Sequence, residues 1–560
     1  MSRPAAAVAE RDPGRDPQRR GLRRLGRGSG RAVILIGTLT AAARVVGFGR
    51  QVVFAHTVGN SCLGSAYTTA NQVPNIIYDI VLGGALASIM VPVLARPAAR
   101  SAAEPAAARA TSQIASALLT WTVLLLLPAS LILAVAARPV MLLLIPHLRG
   151  CSQSEAITVG TGMLEVFAPQ ILLYGLAVVL YGILQAHRRF AGPALAPVLS
   201  SLVVIGAYLA FVPLSRHEGH LAALSPAAKL MLSVGTTAGV AALALTAAVP
   251  ALRLRLRIRP ALRFPEGVGR RARSLAIVGI AALVAQDASA VVVTRLANGH
   301  GGLGAVVLYN YGWQVFTVPY AVLAIPIAVS AFPALSAARE GELNEMSAAA
   351  ARAVLLVSWL GAALLAGAAV PAARLFATRP VQETELALVL VAFAPGLVGY
   401  GLVACLSRVL LADSRNWLAA AAMAGGWLMV IAVDVIVVGL APTRWVVPAL
   451  GLGNTAGMAV SAVALLAAVR RVRGAGALQG VARAAAAGLA GAVVGAAAAA
   501  GISAAMPVSG FFPNAAVALT AGCAALTAFG VIAYVLDGGD LRAVLARARR
   551  SGTRRQGAAV

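Results

Sequence analysis

Between residues 32 and 536 the chain returns repeatedly to apolar stretches of about 20 residues, long enough as helices to cross a hydrocarbon core of ~30 Å. Such stretches read as membrane-spanning helices. A window of ~19 residues gives about fourteen spans, near 32–55, 64–94, 111–136, 157–186, 194–214, 224–250, 273–297, 305–336, 350–370, 386–411, 417–440, 445–468, 481–505 and 513–536. Hydrophobic residues make up 60% of the 560 and charged residues 12%, about half the ~25% of an ordinary soluble domain. The expected fold is all-α and polytopic, and a soluble enzyme is excluded.

The net charge of +27 first suggests a nucleic-acid partner, but its placement argues against one. With the N-terminus placed inside, the outer ends of the spans carry only Arg138, Arg149, Arg216, Lys229, Arg295, Arg374, Arg379 and Arg444. Arg44 and Arg50 lie within the first span, and all the rest of the 46 basic residues fall in inside segments. This asymmetry is the positive-inside pattern. One helix missed in the middle would swap the side of every later loop and destroy it. The expectation is a bacterial plasma-membrane protein with both termini cytoplasmic and no nucleic acid bound.

The sequence repeats. "FAPQILLYGLAVVLYGILQAHRR" from Phe167 and "FAPGLVGYGLVACLSRVLLADSR" from Phe393 align without gaps. Phe167/Phe393, Pro169/Pro395, Tyr174/Tyr400, Gly175/Gly401 and Arg189/Arg415 are identical. The copies occupy the fourth and tenth spans, so both run in the same direction. Two parallel six-helix repeats, as in transporters with matching halves, followed by two extra helices, are expected. Spans two and eight echo each other through Pro74 and Pro92, Pro319 and Pro333. Prolines free backbone carbonyls, which is tolerated where helices line a cavity. The expected organisation is a basic disordered tail over 1–31 and a six-helix lobe over 32–252. A basic cytoplasmic linker over 253–273 leads to a second lobe over 274–470. Two further membrane helices over 471–537 and a basic cytoplasmic tail over 538–560 complete the chain. In the linker, "RLRLRIRPALRF" alternates basic and apolar residues. It reads either as a segment lying on the anionic inner leaflet or as a solvated loop. "RPVMLLLIPHL", 138–148, is too short to span and reads as a surface-lying piece.

Charges in hydrocarbon are costly and mark function. Arg44 lies near the middle of its span and Arg50 nearer the outer end. They are about 240° apart on an ideal helix, with Gly47 and Gly49 between them to allow a bend. A planar guanidinium suits phosphate, so an anionic cargo is expected. Asp79, Glu165, Asp287 and Asp434 are intramembrane acids, each either an ion-coupling site or the partner of an arginine. No metal site, nucleophile or Walker motif is present in the six His, four Cys and remaining sequence. An enzyme is therefore not expected, and no cofactor beyond a coupling ion (H+ or Na+) or the membrane potential. Cys62 and Cys151 both fall on the outer side, where a disulfide and two separate thiols are both open readings.

Three stretches resemble the MurJ/MviN family of lipid II flippases, in the MOP exporter superfamily and of an actinobacterial type. They are "ARVVGFGRQVVFAHTVG" with "AYTTANQVPNIIYDIVLGGALASIMVPVLAR", then "LQAHRRFAGPALAPVLSSLVVIG", then "VPYAVLAIPIAVSAFPALS". The resemblance extends over 32–540. It implies fourteen helices, two lobes around a cationic cavity, and transfer of an undecaprenyl-linked peptidoglycan precursor between leaflets by alternating access. It also implies contact with membrane lipid and, through the tails, with cell-wall synthesis or division proteins. Family arginines of the first helix match Arg44 and Arg50, which the resemblance assigns to the pyrophosphate. A second-helix arginine of the family falls at Tyr78, an eighth-helix arginine at or near Gln314, and a second-helix aspartate at Ser65. Arg44, Arg50, Asn75, Tyr78 and Gln314 are the expected substrate contacts. The thinner charge leaves two alternatives, an exporter of another lipid-linked glycan or drug-like molecule, and a non-transporting scaffold of cell-wall assembly.

Overall fold

The computed structural model describes residues 38–80, 94, 100, 104–187, 189–215, 221, 223–254, 256–262, 268–337 and 340–556. Among them every regular element is helical, and eleven helices are long and apolar enough to cross a membrane. These eleven run from Pro105–Val135 to Phe511–Leu536 and fall on eleven of the expected spans. The other three expected spans are helical wherever they are described, over 38–57, Cys62–Ile80 and Val268–His300. The tail over 1–31 and Pro92 lie outside the described residues. Alanine- and leucine-rich composition favours helix intrinsically, and the lack of water in lipid requires it.

The two halves are packed alike. Gln170–Ala186 lies against Pro105–Val135 and Pro226–Leu252, and its counterpart Gly396–Ala412 lies against Glu340–Gly367 and Val446–Arg473. The hairpin Ala191–Leu214 with Pro226–Leu252 has its match in Asn416–Leu440 with Val446–Arg473. Cys62–Ile80 against Gln153–Phe167 is matched by Ala305–Pro319 against Pro380–Phe393. The final helices, Val481–Ala505 and Phe511–Gln556, pair with each other and lie against Glu340–Gly367.

The Phe-Ala-Pro sequence has a mechanical role in each half. One long helix ends at Phe167 and the next begins at Gln170, with the same break between Phe393 and Gly396. Proline lacks the N–H that would continue the ladder. The carbonyl of Val166 accepts the Thr237 hydroxyl at 2.9 Å, and the equivalent carbonyl of Ala392 accepts the Thr455 hydroxyl at 2.6 Å. The Ser130 hydroxyl donates to the carbonyl of Ala168. Neighbouring helices thus re-satisfy the backbone freed by each bend. A second irregularity follows Pro319, where residues Tyr320–Ala324 form a π turn before Ile325–Ala337 resumes α geometry. Proline insertion accounts for both the wide turn and the bend.

The basic linker is extended over the residues described between 256 and 262 and is strapped along Pro105–Val135. Ser116 and Thr120 hydroxyls accept from the Arg259 and Ala261 amides, and Trp121 Nε1 donates to the carbonyl of Leu262. Leu254 and Leu256 pack inward while Arg253, Arg257 and Arg259 stay exposed, and beyond Leu256 the alternation of faces ends, because Ile258 and Leu262 are exposed as well. The short apolar piece is a helix over Ala137–Leu144 that packs on Gln153–Phe167. At the other end of the chain the last helix continues to Gln556, through the stretch expected as a tail. That stretch is rich in arginine, alanine and leucine and holds no proline, so only its glycines, such as Gly538 and Gly539, weaken the helix.

Candidate functional site

The turn between helix 38–57 and Cys62–Ile80 anchors one end of the molecule. The Cys62 and Cys151 sulfurs are at bonding distance, with the Cα atoms 5.8 Å apart, tying this turn to the start of Gln153–Phe167. Asn60, two residues earlier, reaches into the other half. Its Nδ2 donates to the carbonyl of Phe376 at 3.4 Å and to Gln382 Oε1 at 3.3 Å. Gln382 Nε2 donates back to the carbonyl of Asn60 at 3.3 Å. Gly304 makes the approach feasible. Its φ is +78°, and a Cβ there would meet Asn60 backbone and side-chain atoms at 2.9–3.0 Å. Asn298 adds a buried link, donating to Thr69 Oγ1 at 2.9 Å and to the carbonyl of Leu144 at 3.0 Å.

Below this knot lies an aromatic layer. Phe54 packs on Tyr67 and Tyr208 at 5.2 Å, and Tyr311 stacks on Phe376 at 5.0 Å. The Tyr67 hydroxyl lies 2.8 Å from both the Tyr208 hydroxyl and Thr236 Oγ1. Buried hydroxyls are thereby paired, as an apolar interior demands. The disulfide end is closed by apolar rings and by the Asn60–Gln382 exchange.

The same aromatic layer bounds a polar cavity of ≈ 170 Å³. Its lining includes Arg50, Gln51, Asn71, Gln72, Asn75, Asn310 and Gln314. A second space of ≈ 90 Å³ shares Gln72 and Asn310 with it and adds Asp79, Gln286, Asp287 and Trp313. The shared residues make the two spaces neighbours. The helical period explains the polarity. Thr68, Asn71, Gln72, Asn75 and Asp79 fall within an arc of about 100° on one face of Cys62–Ile80. Asn310, Tyr311 and Gln314 do the same on Ala305–Pro319, so each helix turns a polar stripe to the cavity and apolar residues elsewhere.

The expected site residues separate into groups. Arg50 is half-buried in the first cavity, with its Nε buried and without a hydrogen-bond partner. Arg44 is exposed and is not among the described lining of either space. Asn75 and Gln314 line the cavity, and Asn75 Oδ1 accepts the Tyr174 hydroxyl at 3.1 Å. Tyr78 stands behind the wall, its ring 4.4 Å from that of Tyr174. Ser65 is fully buried. Asp79 and Asp287 line the second space together. Glu165 is exposed on its helix, away from both spaces. Asp434 lies elsewhere, fully buried in Asn416–Leu440 with neither carboxylate oxygen hydrogen-bonded. It sits on Gly453, where a Cβ would come within 1.8 Å of Oδ1. Among the described residues no three His, Cys, Asp or Glu side chains gather as a metal site.

The residues the sequence reading missed are carboxamides, Gln51, Asn71, Gln72, Gln286 and Asn310, with Asn60 and Gln382 at the closed end. Their signal was present as polar residues at i, i+3, i+4 and i+7 within apolar spans. Uncharged amides are common enough in membrane helices that charge drew the attention first.

The model of the family described as Lipid II flippase MurJ matches residues 54–534. Lipid II flippase MurJ of Burkholderia cenocepacia is 26% identical over 326 residues, 57% of this chain and 59% of that protein. The chain thus spans about three fifths of that relative. Among solved structures, a lipid II flippase MurJ in an inward closed conformation superposes with TM-score 0.69 at 17% identity, covering 90% of this chain and 98% of the other. An inward-facing multidrug resistance MATE family transporter of the MOP superfamily superposes with TM-score 0.61 at 15% identity, covering 78% and 95%. At these identities the two structures show a shared fold.

Proposed function

This chain belongs to the MurJ lipid II flippase family, and from that premise we propose that it moves lipid II from the inner to the outer leaflet by alternating access. The observation that carries this reading is Arg50, a guanidinium facing a polar cavity between membrane-spanning helices with its Nε unpartnered. A guanidinium gives a pyrophosphate paired, charge-assisted hydrogen bonds, while the polyprenyl tail stays in the bilayer. Asn75 and Gln314 supply neutral contacts beside it. Arg44, exposed on the same helix, is given no part in the grip. The disulfide end faces outward and both termini are cytoplasmic, in keeping with the charge asymmetry of the loops. The Asn60–Gln382 knot then closes the outer side, and cargo enters from the inner leaflet.

A coupling cation has a fitting site at Asp434. A buried carboxylate with no hydrogen-bond partner is costly unless charge or a proton compensates it. Its carboxylate oxygens suit H+ or Na+. The cation would supply the energy of its gradient. Each charge carried across the membrane adds ~2.3 kcal/mol per 100 mV.

A second reading, export of a different lipid-linked glycan, draws on the resemblance, which puts one family arginine at Tyr78 and another at or near Gln314. One experiment addresses both. The purified chain is reconstituted in vesicles containing lipid II, and an impermeant amine-reactive reagent reports headgroups that reach the far leaflet. Transfer by the parent and its loss in Arg50→Ala support lipid II as cargo. No transfer by a well-folded parent turns the assignment to another glycan.

A further inference from the structure

The cavity has one guanidinium and a wall of carboxamides. Gln51, Asn71, Gln72, Gln286 and Gln314 have no side-chain hydrogen bond to another described residue, yet all line the two neighbouring spaces. An amide left unpaired in a dry membrane interior would be strongly unfavourable, so these groups face water or cargo. Each presents two donors and one acceptor. The charged groups of the lining are Arg50 against Asp79 and Asp287. No second cation is present among the described lining residues to balance negative charge beyond the phosphates.

Building on the flippase reading above, we propose that this cavity selects lipid-linked pyrophosphoryl glycans whose heads carry amides and hydroxyls and few free carboxylates. Arg50 holds the phosphates. The carboxamides read the remainder of the head by neutral hydrogen bonds, and Asp79 and Asp287 disfavour a carboxylate placed near them. Gln72 is the central specificity residue because it lines both spaces with its amide free for cargo, whereas Asn310, which also lines both, already donates to the carbonyl of Val306. Gln314 is the second, on the facing helix. A cavity with arginine at that position would tolerate an anionic head. Glutamine there hydrogen-bonds in both senses without charge, so its preference follows the hydrogen-bonding capacity of the cargo.

The test uses the full chain in lipid nanodiscs and two synthetic probes. Both share the polyprenyl pyrophosphate and disaccharide. In one the peptide carboxyls are free, and in the other they are primary carboxamides. The carboxamide probe is expected to bind about tenfold more tightly, the discrimination of one or two well-placed hydrogen bonds. Gln72→Glu should weaken the carboxamide probe, and Gln314→Arg should shift the preference toward the free-carboxyl probe, so either variant suffices if the other fails to fold. Equal binding of the two probes, or preference for the free-carboxyl form, overturns the inference while leaving the flippase reading in place. Failure of a monodisperse parent to bind either probe overturns both.

Discussion

Asn60→Ala loosens the closed end by an amount that can be worked from its contacts. The side chain donates two bonds of 3.3 and 3.4 Å, at the long edge of the normal range. Gln382 Oε1 keeps the Thr378 hydroxyl at 3.2 Å, so it is not orphaned. The Phe376 carbonyl loses its side-chain donor. Removing these bonds, with one acceptor left short of a donor, costs the closed state about 1–3 kcal/mol. The open state has Asn60 and Gln382 apart and is barely affected. At 1.4 kcal/mol per tenfold, the population open at the disulfide end rises by roughly 5- to 140-fold. The assay is alkylation of a cysteine placed at Asn71 in the cavity, with Cys523 removed, by an impermeant thiol reagent applied to the disulfide face. The labelling rate should rise by that factor over the Asn60 parent. A rate within twofold of the parent at equal abundance would mean that the knot does not hold this end shut.

Three further outcomes follow from named contacts. With Cys62 and Cys151 bonded and Cys405 and Cys523 free, mass spectrometry of denatured, alkylated protein should find two adducts without reductant and four with it; four in both conditions would show the bond absent. Thr455→Val removes the hydroxyl that serves the Ala392 carbonyl at the second helix break. It should cost about 1–3 kcal/mol, read as a lower melting temperature in detergent, and an unchanged melting temperature would deny that cap its role. Asp434→Asn should leave abundance near the parent's and remove the dependence of transport on an imposed cation gradient in vesicles; an unchanged dependence would place the coupling site elsewhere.

Periodicity and punctuation carried much of the fold. The Phe-Ala-Pro pair announced two equivalent helix breaks, because the same proline stands at the same place in each copy and withholds the amide that would continue the ladder. The threonines that serve those breaks, Thr237 and Thr455, come from helices distant in sequence and had no local signal. The site was legible in part. Charge within an apolar span singled out Arg50, Asp79 and Asp287, which line the two spaces. It singled out Arg44, Glu165 and Asp434 equally, because depth along a span does not say which face a side chain turns. Arg44 and Arg50 differ in facing and not in chemistry. The polar wall was written in the stripe Thr68, Asn71, Gln72, Asn75 and Asp79, whose meaning depends on the facing helix Ala305–Pro319, far along the chain.

The most direct measurement is rescue of a bacterium depleted of its own lipid II flippase. The parent chain, Arg50→Ala and Arg44→Ala are expressed at matched abundance, and survival is scored. Growth with the parent and with Arg44→Ala, and lysis with Arg50→Ala, is the expected result. Growth with Arg50→Ala at normal abundance would contradict the assignment of the pyrophosphate to that guanidinium.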